Sequence, residues 1–129
     1  MRAMIKVEIP GLLPKETNPN WRGHWAVKAR ATSFLRREAF YCARAVCYIR
    51  PDPRWVEAYV TVNFYIPDAR HIRDRDNAIA SLKPAIDGCV DAGILRDDKE
   101  LNWGEILWVV DKDISPKIVL KFESEGKRN

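Results

Sequence analysis

Ile5, Val7 and Ile9 alternate with Lys6 and Glu8 and stop at Pro10, which predicts a half-buried strand ended by a residue that cannot donate to a β-ladder. The clearest period of two sets Val56, Ala58, Val60, Val62, Phe64 and Ile66 against Glu57, Tyr59, Thr61, Asn63 and Tyr65, and ends at Pro67. That run predicts a second strand. Two more are expected, Ile106 to Asp111 and Lys117 to Glu123, the latter with Ile118, Leu120 and Phe122 on one face. The short link from Lys112 to Pro116 suits a hairpin between them.

Between these runs the period changes to that of a helix. From Trp25 to Tyr48, Ala29, Leu35, Ala39, Cys42, Ala43 and Val46 recur at steps of three and four, with Lys28, Arg30, Arg36, Arg37 and Arg44 elsewhere. This predicts an amphipathic, basic helix, broken afterwards by Pro51 and Pro53. After Asp76, the residues Ile79, Leu82, Ile86, Cys89 and Val90 form a second apolar stripe. Pro84 is expected to bend or divide this helix near Ser81 to Lys83, and Gly93 to stop it. Residues 14 to 24 are rich in turn formers, and the tail from Ser124 onward is polar and expected to fray. The order β-α-β-α-β-β predicts an α+β fold, one domain over residues 1–129 with the helices packed on a mixed sheet.

Length supports this picture: 129 residues is the size of one ordinary domain. No apolar run approaches the roughly 20 residues of a membrane span, and residues 1 to 14 read as a strand instead of a secretory leader, so a cytoplasmic protein is expected. Cys42, Cys47 and Cys89 lack C-x-x-C spacing and read as structural thiols. His24 and His71 stand alone in polar surroundings, better suited to surface or phosphate contacts than to catalysis.

Charge is unevenly distributed. Residues 1 to 54 hold 11 Lys and Arg against 4 Asp and Glu, a balance of +7, and residues 55 to 129 hold 11 against 14, a balance of −3. One half attracts polyanions, with Arg30, Arg37 and Arg44 recurring every seven residues along one helix side. The other gathers acids: Arg73-Asp74-Arg75-Asp76-Asn77, then Lys83, Asp87 and Asp97-Asp98. Carboxylates that converge repel unless a cation lies between them, and hard oxygen donors suit Mg2+ or Mn2+ over zinc. The same acids also suit a helix start with Asp76 or Asn77 as N-cap, and Lys83 with Asp87 suits an ordinary i,i+4 ion pair. An EF-hand is excluded because Ala78 and Ile79 occupy positions that need an oxygen ligand and a glycine. No G-x-x-x-x-G-K loop is present, so no nucleotide cofactor is expected.

The runs Arg73-Asp74-Arg75-Asp76-Asn77, Leu82-Lys83-Pro84-Ala85-Ile86-Asp87-Gly88 and Asp91-Ala92-Gly93-Ile94-Leu95-Arg96-Asp97-Asp98 together resemble the RusA-type Holliday-junction resolvases, typically of phage or prophage origin. The loop Asn18-Pro19-Asn20-Trp21-Arg22 and the basic helix behind it extend the resemblance over nearly the whole chain. The resemblance implies a homodimeric endodeoxyribonuclease that cuts four-way DNA junctions with Mg2+ or Mn2+. Carried over by motif, Asp74, Asp76 and Asp98 would be metal ligands, with Asp97 as helper. Lys83 would be the catalytic lysine by its spacing to Asp87, although the interval from Asn77 is about one helical turn longer than in the best-known member. DNA contacts are expected from Arg22, Lys28, Arg30, Arg37, Arg44, Arg73 and Arg75. The rival readings are a non-catalytic junction binder and a Mg-dependent nuclease of other branched DNA.

Overall fold

A computed structural model describes residues 4–47, 57–99 and 101–124. Tyr48, Pro51, Pro53, Val56 and the tail beyond Ser124 lie outside the described residues. Four strands, β1 (Met4–Pro10), β2 (Ala58–Ile66), β3 (Leu101–Val110) and β4 (Lys117–Ser124), alternate with two helices, α1 (Trp25–Val46) and α2 (Arg75–Asp91). The element order and the α+β class are those expected from the periodicity.

The strand order is β1-β4-β2-β3. β4 is antiparallel to both of its neighbours, and β3 lies parallel to β2 on the outer edge. The expected hairpin between β3 and β4 does not form. A period of two sets which face of a strand is buried but not which strand it pairs with, and here the parallel β2-α2-β3 crossover places a whole strand between the two. β3 also starts at Leu101, before the expected Ile106, because Asn102 to Glu105 break the alternation that marks the rest.

One face of the sheet forms the core. Val7 and Ile9 meet Leu120 and Ile118, which in turn meet Val62 and Phe64, and all six are buried. Leu35, Ala39 and Ala43 of α1 and Leu82, Ala85, Ile86 and Cys89 of α2 complete this core. Burial raises the Cys89 thiol far above its ordinary range, so it is a packing group and not a nucleophile.

The two helices approach each other closely at Gly88. A Cβ there would land on the Arg36 carbonyl oxygen and 2.9 Å from the Phe40 nitrogen. A two-pronged ion pair locks the same interface, with Arg36 Nε 2.7 Å from Asp91 Oδ2 and Nη2 3.0 Å from Oδ1. The pair holds the Asp91 carboxyl below its usual range and raises the guanidinium.

α2 runs unbroken through Pro84. Proline removes one N–H, but Pro84 is buried against the core, and that packing outweighs the lost bond. The helix ends as expected: Gly93 takes φ 95°, its N–H donates to the Val90 carbonyl at 2.9 Å, and the Ile94 N–H donates to the Cys89 carbonyl at 3.2 Å, a Schellman stop. Gly93→Ala should lower stability by about 1 kcal/mol and the midpoint by about 4 °C. Thermal denaturation followed by circular dichroism checks this, and an unchanged midpoint would contradict the assigned role.

Candidate functional site

β2 delivers the chain at Ile66 into a loop with a single 3-10 turn, Ala69–His71, which then enters α2. Asp74 is the N-cap of α2: its backbone is extended, and Oδ1 accepts from the Asn77 N–H at 2.8 Å. The cap is therefore not Asp76 or Asn77. Asp76 lies in the first turn, exposed, with no hydrogen bond or ion pair among the described residues. Both carboxylates gain from the positive end of the helix dipole.

Behind them runs a partly buried chain of polar contacts. Arg73 Nη1 donates to Ser81 Oγ at 2.8 Å, Ser81 Oγ donates to Asn77 Oδ1 at 3.3 Å, and Asn77 Nδ2 donates to Asn18 Oδ1 at 3.0 Å. Ser81 has no exposed surface, so its hydroxyl must be satisfied internally, and this fixes Arg73 and Asn77 together. The 18–20 loop is tied in the same way, with Asn20 N–H donating to Asn18 Oδ1 at 2.8 Å and Lys28 Nζ to the Asn18 carbonyl at 3.3 Å. Sequence reasoning missed this network. Its signal was an Asn in each of two separate motifs, a residue type that both donates and accepts.

Lower on α2, Lys83 Nζ lies 2.6 Å from Asp98 Oδ2 and 3.1 Å from Asp87 Oδ1. The segment after Gly93 thus folds back along the helix, and Asp97 supports it by accepting the Lys99 N–H at 2.8 Å. The hydrogen bond from Lys83 holds the Asp98 carboxyl below its usual range, and the Asp98 contact raises the ammonium. Lys83 is thus a fixed cation, suited to charge stabilisation and unsuited to act as a base.

Both shifts also bear on stability. A depressed carboxyl pKa contributes above its unfolded value and loses that contribution as pH falls through the folded one; a raised ammonium pKa contributes below its unfolded value and loses it as pH rises through the folded one. The pair's contribution is therefore full between pH 3.8 and pH 10.5 and falls away below and above that window. Because the side chains are 60% and 34% exposed, the contribution is under about 1 kcal/mol. Asp98→Asn should destabilise slightly at pH 7, and the difference from wild type should shrink at a pH well below 3.8. Denaturant melts at the two pH values check this, and a penalty that persists at low pH would show that the pair is not its source.

The structure brings Asp98 together with Lys83 and Asp87, but not with Asp74 and Asp76. Asp76 and Lys83 are seven positions apart, about 10 Å along the helix axis, and among the described residues no three His, Cys, Asp or Glu side chains are gathered to hold a metal. The donor chemistry at the helix start still fits a hard cation. Asp76 is unengaged, Asp74 Oδ2 makes no hydrogen bond among the described residues, and Mg2+ commonly takes one or two carboxylates with water and substrate phosphate completing its shell.

The basic candidates divide by what they already touch. Arg22, Arg30 and Arg37 are exposed, and Arg44 is partly so. Lys28 serves the 18–20 loop. Arg75 donates to the Gly104 carbonyl at 2.9 Å and the Trp103 carbonyl at 3.3 Å, pinning the start of α2 to β3. Trp25 is 75% exposed and stacks on His24, whose Nδ1 caps α1 by accepting the Ala26 N–H at 3.0 Å. Trp21 is half-buried, with its ring lying over Gly23.

No protein-family model and no curated protein matches the sequence. Among the described residues no helix is long and apolar enough to cross a membrane.

Proposed function

We propose that the protein is a Mg2+- or Mn2+-dependent endodeoxyribonuclease acting on branched DNA, four-way junctions first, as the RusA-type resemblance implies. The observation that carries this reading is the start of α2. Two carboxylates, Asp74 and Asp76, stand there next to Arg73 and on the same helix as the fixed cation Lys83, in a chain whose N-terminal half is strongly basic. Asp74 and Asp76 would hold the cation. Bound there, it supplies charge neutralisation at a phosphodiester and a lowered pKa for an attacking water.

The chain's own residues do the remaining work. Lys83 offsets charge on the scissile phosphate or the leaving oxygen, and Asp98 and Asp87 aim it as positioning residues. Arg30, Arg37 and Arg44 draw in the polyanion and set its register without reading sequence. Paired cuts across a junction call for two sites related by a two-fold axis, so a homodimer is part of the proposal, and light scattering at micromolar concentration tests it.

The deciding experiment compares cutting of four-way, forked and linear DNA with Mg2+ or Mn2+ present and with the metal chelated. Metal-dependent cutting that favours the four-way substrate supports the reading. Preference for forks moves it to another branched-DNA nuclease. The ion pair that engages Asp98, together with the lack of a gathered carboxylate trio among the described residues, favours a second reading as a non-catalytic junction binder. That reading predicts salt-sensitive binding with no nicking in any metal.

A further inference from the structure

A cavity of about 250 Å³ opens beside the start of α2, between the end of β1, the C-terminal end of β2 and the start of β4; its walls include Asn18, Phe64, Arg70, His71, Arg73 and Trp108. In sheets with a parallel crossover, ligands bind outside the carboxyl ends of the strands, where the strand-to-helix loops stand over the sheet edge. This cavity occupies that place for the β2-α2-β3 unit. The acids and basic helix discussed above do not use it.

Three features describe what it would hold. Its basic wall is Arg70 and Arg73, with His71 beside them, from the loop that leads into α2, together with Lys117 at the start of β4. Of these, Arg73 is half-buried, and its only hydrogen-bond partner among the described residues is the neutral Ser81 hydroxyl. A partly desolvated guanidinium without a carboxylate is a site for an incoming anion. The third feature is aromatic: Phe64 and Trp108 stack with centroids 4.2 Å apart and planes 14° from parallel, and Trp108 keeps part of its surface exposed. Aromatic surface beside guanidinium groups is how single-stranded nucleic acid is held, base on ring and phosphate on cation. The volume lies just below that of drug-sized pockets, which limits the ligand to one nucleotide unit.

We propose that this cavity binds one unpaired nucleotide of a DNA strand, its phosphate on Arg73 and Arg70 and its base against the Trp108–Phe64 stack. The choice of DNA as the source rests on the nuclease reading; nucleotide binding itself does not. A nucleotide held beside Asp74 and Asp76 is displaced from the duplex stack, and branch points supply such nucleotides where linear duplex does not. The cavity would then select branched substrates by the state of one nucleotide.

The test titrates the full chain with thymidine 3′,5′-bisphosphate, inorganic phosphate and thymidine by calorimetry, with no metal added. The bisphosphate should bind clearly more tightly than phosphate or nucleoside alone. Arg73→Gln and Arg70→Ala should each weaken it about tenfold, as expected for loss of a charge-assisted contact. Arg70 is exposed and its side chain pairs among the described residues only with Asp68, so its removal leaves the fold intact even if Arg73→Gln unfolds. Trp108→Leu should remove the preference for the bisphosphate over phosphate. No binding by wild type, binding unchanged in Arg70→Ala and Arg73→Gln, or phosphate binding as tightly as the bisphosphate would each overturn the proposal. Cleavage of four-way DNA is measured on the same preparations: bisphosphate binding without cutting sinks the nuclease reading alone, and cutting without bisphosphate binding sinks the pocket alone.

Discussion

Asp74→Asn and Asp76→Asn are each expected to lower metal-dependent cutting of four-way DNA by about a thousandfold or more, while junction affinity stays the same or rises. The size follows from what a carboxylate-held cation contributes to phosphodiester hydrolysis, several kcal/mol of transition-state stabilisation at about 1.4 kcal/mol per decade of rate. The direction of the binding change follows from charge, since removing a negative group beside a polyanion cannot weaken long-range attraction. Asparagine is also a clean substitution at position 74. Its side-chain oxygen can still accept the Asn77 N–H that Asp74 Oδ1 accepts now, and Asn caps a helix as well as Asp does. Asp76 has no contact to lose among the described residues. Cutting by both variants at the wild-type rate, measured in single turnover with affinity read by fluorescence anisotropy, would remove the carboxylates from the chemistry.

The second large effect concerns the fold. Gly88→Ala should destabilise the protein by about 3 kcal/mol, the upper part of the range for overpacking a tight core, and lower the thermal midpoint by on the order of 10 °C. The added carbon would meet backbone, the Arg36 carbonyl and the Phe40 nitrogen, and backbone cannot turn aside as a flexible side chain can. The helices would have to part, which also strains the Arg36–Asp91 bridge. A midpoint within a degree or two of wild type would show that α1 and α2 pack more loosely than this.

Much of the fold was legible because alternation and helical stripes are set by burial, and burial is decided residue by residue. Val60, Val62, Phe64 and Ile66 showed their core face directly, and Gly93 marked the end of α2 through a backbone angle few other residues accept. Strand partnership was not legible. β3 and β4 are neighbours in sequence with apolar faces that suit a hairpin, and nothing local says that β4 must leave its neighbour to pair between β1 and β2. Pro84 misled for a related reason: a local rule predicts a break, and tertiary packing overrides it.

The site divides along the same line. Asp74, Asp76, Lys83 and Asp87 were visible because they share one helix, whose geometry projects from sequence. The return of Asp98 to Lys83 depends on the path of the turn after Gly93, which no period encodes. The cavity was least visible of all, since its walls come from β2, β3, β4 and two loops, and no motif spans them.

The position of β4 also matters during synthesis. β1 and β2 share no backbone pairing, and among the described residues β1 is joined to the sheet only through residues 117–124. Until that segment leaves the ribosome, β1 has no partner strand and β2 can pair only with β3. The apolar face of β1 therefore has no strand beside it until residues 117–124 have been made, and the four-stranded sheet closes only then.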